Sequence, residues 1–94
     1  MKESDEIEFK LSFNDDVIIS LVAFANAKGG SVLVGMDDNG TNVGVALGKE
    51  TLVKWLNEIK NKTAPTIIPD VEEKIIDNKV VVEFSIGEYL GRFL

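Results

Sequence analysis

Six carboxylates of the chain fall into two short groups: Glu3, Asp5, Glu6 and Glu8 near the start, and Asp37 and Asp38 after a glycine. Oxygen ligands of this kind suit Mg²⁺ or Mn²⁺. An ion so held would activate water against a phosphodiester and stabilise the departing oxygen. The same residues also read as solvated charge, with Asp37 to Asn39 selected for turn geometry. A second constellation is Lys10 with the stretch Asn26, Lys28, Gly29 and Gly30. There a phosphate would meet a cation and backbone amides, although a lysine at a helix C-terminus also simply offsets the dipole.

Much chemistry is excluded at once. The chain has no histidine, so it has no Ser-His-Asp triad, no imidazole base and no histidine-held metal. It has no cysteine, which removes disulfides, thiol nucleophiles and thiolate-bound zinc. Gly30 and Gly35 have the outer spacing of a phosphate loop, but Met36 and Asp37 follow where Lys and Ser or Thr are required, so ATP is not expected as a cofactor. A net charge of −6 repels a polyanion at long range, so any nucleic-acid contact must be local. The Val17 to Ala25 run, interrupted by Ser20, is far shorter than the roughly 20 residues that cross a bilayer. Met1 is followed by charged residues, unlike a secretory signal, so no membrane partner and a cytoplasmic location are expected.

Several elements must position these groups. Ile7, Phe9 and Leu11 alternate with Glu8, Lys10 and Ser12, which predicts a strand over 7–12. Asn14 is a good N-cap, Asp15 and Asp16 suit a helix start, and an apolar stripe follows, which predicts a helix over 15–28 that closes at Gly29 and Gly30. A strand over 31–36, a turn at Asp37 to Gly40 and a short third strand over 43–47 come next. Leu52, Trp55, Leu56 and Ile59 share one face of a helix over 49–61, which Pro65 prevents from continuing. Two extended runs, 67–76 and 79–86, meet at Asp77-Asn78, a two-residue hairpin turn. The order β-α-β-β-α-β-β is an α+β two-layer sandwich of two helices on one mixed sheet, a single domain over 1–94 with its core at 3–86. The tail 87–94 has no clear period and reads as a frayed end, a cut-off strand or a docking segment.

Three motifs in order, Glu3-Ser4-x-x-Ile7-Glu8-Phe9-Lys10, Ala23-Phe24-Ala25-Asn26-x-x-Gly29-Gly30, and Val34-Gly35-Met36-Asp37-Asp38-x-Gly40 with Gly44, resemble the Schlafen AlbA_2 domain, also called the divergent AAA-4 domain. The resemblance implies a DNA-binding module of bacterial and archaeal transcriptional regulators. Its Schlafen branch implies metal-assisted cleavage of structured RNA instead. Carried over by motif, the catalytic and metal-binding carboxylates would be Glu3, Glu8 and Asp37 or Asp38, with Mg²⁺ or Mn²⁺ as the ion. The leading expectation is a non-catalytic DNA-binding domain that touches the phosphate backbone through Lys10, Asn26, Lys28, Gly29 and Gly30. The alternatives are that endoribonuclease, or an interaction domain that pairs with a copy of itself through an open sheet edge.

Overall fold

In a computed structural model, residues 6–89 are described and form the expected α+β sandwich. The elements are β1 (Ile7–Lys10), α1 (Asp15–Ala25), β2 (Gly30–Val34), α2 (Thr51–Asn61), β3 (Asp70–Ile76) and β4 (Lys79–Ile86). One mixed sheet runs in the order β1-β2-β4-β3. β1 and β2 are parallel, with Ile7 opposite Ser31 and Lys10 opposite Val34. β2 and β3 each pair antiparallel with β4. The parallel pair needs a crossover, and α1 supplies it.

Local signals set most boundaries. The Asn14 side chain accepts the Asp16 amide at 3.0 Å and starts α1. The helix ends three residues before the expected 28, because the Gly29 amide turns back to the Phe24 carbonyl at 2.8 Å and Gly29 takes φ +88°. α2 begins at Thr51, whose hydroxyl accepts the Gly48 amide at 2.8 Å. Past its end the buried Thr63 donates to the Ile59 carbonyl at 2.8 Å and accepts the Ile67 amide at 3.0 Å. β3 starts only at Asp70, after Pro69, which has no amide to give a ladder. Asp77 and Asn78 both have positive φ, 53° and 64°, as a primed hairpin turn requires.

The stretch expected as a third strand, 43–47, forms no strand of its own, and a single bridge, Met36 with Asn42, precedes it. Val43 and Gly44 both donate to the Gly35 carbonyl, and Val45 donates to Val80. Two amides converging on one carbonyl break the alternation a ladder needs.

Side chains at alternate positions build two apolar layers. Toward the helices, Val32, Val34, Val82 and Phe84 meet Val17, Ile18, Leu21 and Phe24 of α1 and Ile59 of α2. Leu52, Trp55 and Leu56 pack against that cluster, as their helical spacing predicts. Phe13 stacks on Trp55 with centroids 4.9 Å apart, and both rings tilt against Phe84, so these half-buried aromatics pack on the edge of the core, where they also border an open cavity of about 550 Å³. On the other face Phe9, Leu33, Met36 and Val81 form a second cluster. The tail begins as a docked segment: the Tyr89 amide donates to the Ala25 carbonyl at 2.9 Å, and its hydroxyl lies 3.2 Å from the Thr66 carbonyl. The last five residues, 90–94, lie outside the described ones.

Candidate nucleic-acid interface

β1 and β2 are neighbours, the arrangement that would let carboxylates from both meet. Glu8 lies opposite Val32, so its side chain falls on the helix face of the sheet. It is already engaged there: the Ser20 hydroxyl of α1 donates to its Oε2 at 2.7 Å, and the Lys10 Nζ lies 3.2 Å from the same oxygen. The Ser20 hydrogen bond, outweighing partial burial and helped by Lys10, holds the Glu8 carboxyl below its ordinary value of 4.5. Ser20 is the polar break in an otherwise apolar helix stripe, and that break was its only trace in the sequence.

Asp37 serves its own turn. Its Oδ1 accepts the amides of Asn39 and Thr41, each at 2.9 Å, as an Asx turn does. Asp38 beside it is exposed. Glu3 lies outside the described residues. Among the described residues no three carboxylates stand close enough to hold a metal ion.

The Gly29-Gly30 corner is packed to contact. A Cβ on Gly29 would lie 2.7 Å from the Ile86 carbonyl oxygen, and one on Gly30 would lie 2.6 Å from the Phe24 ring and 2.8 Å from the Glu6 carbonyl. The Gly29 amide is spent on Phe24, and the next strand amide, Ser31, donates to Glu6 at 2.8 Å. Glycine is therefore demanded here by close approach, and the amide the phosphate reading would use at Gly29 is occupied. Lys28 is different. It is exposed, has no ion pair among the described residues, and borders a cavity of about 300 Å³ with Glu6, Ala27 and Gly29. Asn26, also exposed, borders a second cavity of about 270 Å³ under Tyr89. Lys10 is tied to Glu8, four strand positions past the corner by register, or roughly 13 Å at strand rise.

A further polar group had no sequence signal. On the sheet face away from the helices, the hydroxyls of Ser31 and Ser85 are 3.0 Å apart, and Lys74 reaches Glu83 at 2.7 Å. The Lys74 hydrogen bond, against some desolvation and with help from Ser31 and Ser85, lowers the Glu83 carboxyl below 4.5. Its members come from β2, β3 and β4, and only the strand order brings them together.

The solved structure of the DIP2311 protein from Corynebacterium diphtheriae is similar at 19% identity with a TM-score of 0.78, over 96% of this chain and 19% of that one. The N-terminal domain of a Nitrosomonas europaea protein named for its relation to the ATP-dependent DNA helicase RecG is similar at 24% identity with a TM-score of 0.63, over 94% of this chain and 66% of that one. The chain thus spans about a fifth of the first and under two thirds of the second, and these likenesses establish the shared fold. No curated protein matches the sequence. The family model for Schlafen, AlbA_2 matches residues 3–92, beyond the expected core end at 86 and past the docked Tyr89. With that match over nearly its whole length, the chain belongs to the Schlafen AlbA_2 family.

Proposed function

We propose that the chain is a non-catalytic nucleic-acid-binding module, that its target is DNA, and that it serves a transcriptional regulator. It meets the phosphate backbone at the corner from Asn26 to Gly30. The observation that carries this reading is Lys28, an exposed cation without an ion pair among the described residues, beside a cavity at a corner that two glycines keep low. A bare ammonium at such a corner is a point contact for a phosphate oxygen. Asn26 adds a hydrogen-bonding amide just before it in the chain, and Lys10, already shared with Glu8, contributes less. Support for DNA as the target comes from the family and from the DNA-helicase relation in the name of the Nitrosomonas protein.

The test is fluorescence anisotropy with a labelled duplex across a salt series. Affinity should fall steeply with salt, and Lys28→Gln should weaken binding and lower the log-log slope by about 0.9, the increment for one phosphate contact. No binding at low salt overturns the reading. Mn²⁺-dependent cleavage of structured RNA that Glu8→Ala abolishes would replace it with the nuclease reading.

A further inference from the structure

The outward face of α2 carries a cationic array that the corner does not include. At about 100° per residue, Val53, Lys54, Asn57, Lys60 and Asn61 fall within an arc of roughly 120°. The opposite side of the helix holds Leu52, Trp55, Leu56 and Ile59, which pack into the core. Lys49 stands just before the helix. Lys49, Lys54, Asn57 and Asn61 are exposed and Lys60 is half-buried. Among the described residues none of these three lysines has an ion pair, whereas Lys10 and Lys74 each have one and Lys62 has two. The face sets three lysines against Glu50, with Glu58 at its edge one turn from Lys54 and paired with Lys62 at 3.8 Å, on a chain of net charge −6. Positive charge left unneutralised on one helix of an acidic chain is a local footprint for a polyanion.

We infer that this face of α2 is a second contact surface for the nucleic-acid backbone, with Lys49, Lys54 and Lys60 on phosphates and Asn57 and Asn61 hydrogen-bonding between them. The inference rests on the nucleic-acid reading above. Charge complementarity selects the occupant. Lys54 and Lys60 are about 9 Å apart along the helix axis, and a duplex presents one charge per roughly 1.7 Å of its own axis, so both ammonium groups find phosphates together. Base stacking is not part of it, because Trp55, the one aromatic of the helix, lies on the opposite side of the helix, stacked on Phe13. Side-chain amides and lysines are the groups that position a protein on the backbone without reading sequence.

The experiment compares the full chain with the Lys49→Gln, Lys54→Gln, Lys60→Gln variant on the same labelled duplex. Glutamine keeps the helix propensity of lysine, and circular dichroism with a thermal melt checks the fold. The variant should bind more weakly, with a salt slope lower by roughly 0.9 for each phosphate no longer neutralised. If the triple variant loses helicity, the single Lys54→Gln and Lys60→Gln chains carry the comparison. A folded variant with the wild-type slope overturns the inference, and if Lys28→Gln still weakens binding the corner reading stands without it. A chain that binds no duplex at all removes both. Should the variant keep its duplex affinity but lose binding to a polyglutamate probe, the face serves an acidic protein and the inference fails.

Discussion

Replacing Ser20 by alanine isolates the hydrogen bond that holds Glu8. The Ser20 hydroxyl donates at 2.7 Å to a carboxylate oxygen that Lys10 also approaches. A hydrogen bond to a charged group is worth about 1.5–3 kcal/mol net when well shielded. The Glu8 side chain is 39% exposed, so solvent screening cuts this to about 1 kcal/mol. Alanine returns up to roughly 0.5 kcal/mol of helix propensity at an α1 position. Ser20→Ala should therefore destabilise the chain by about 0.5–1 kcal/mol at neutral pH. The effect vanishes in acid. Because the folded pKa of Glu8 lies below its ordinary value of 4.5, its stabilisation is complete above that value and is lost as pH falls through the folded pKa. Below that window the charge-assisted part of the bond is gone while the propensity gain remains, so the variant should match or slightly exceed the wild type. Urea unfolding at pH 7 and at a pH below the Glu8 midpoint, located by titrating its side chain in the folded chain, with equal m-values, measures both differences. An equal loss at the two pH values would show that Ser20 acts through packing and would refute the assigned cause.

Two substitutions probe the frame around the interface. Gly29→Ala places a Cβ 2.7 Å from the Ile86 carbonyl in a residue with φ +88°. The left-handed backbone costs roughly 1–2 kcal/mol and the overlap about 1–3 kcal/mol more, so a melting temperature within a degree of wild type would contradict the packed corner. Thr63→Val removes the acceptor of the Ile67 amide and the donor to Ile59 at a buried site. Leaving that amide unpaired should cost on the order of 1–3 kcal/mol in urea unfolding, and an unchanged midpoint would mean that the loop finds another partner.

What the sequence disclosed follows the range of the interactions responsible. The Asn14 cap, the glycine pair and the Asp77-Asn78 turn are written in adjacent residues, and each is found where its local chemistry demands. The core faces of α2 and β4 follow from helical and strand periodicity, which survives without any knowledge of partners. The course of the 43–47 stretch leaves no local pattern, because it depends on the carbonyls of Gly35, just past β2, and of Val80 in β4. The docking of Tyr89 onto Ala25 spans most of the chain and leaves no local pattern. Carboxylate spacing pointed to Glu8 as a site residue but not to its partner, since Ser20 reaches it only through the crossover of α1. Asp37 was legible in both of its readings, and its Oδ1 serves the turn through the amides of Asn39 and Thr41. The Ser31, Ser85, Lys74 and Glu83 group required the strand order itself.

Amide chemical-shift mapping during titration with a short DNA duplex tests the proposed interface residue by residue. The account predicts the largest shifts at Asn26 to Gly30, moving together and reverting as salt is added. Shifts that leave Asn26 to Gly30 untouched, or no shifts at low salt, would contradict it.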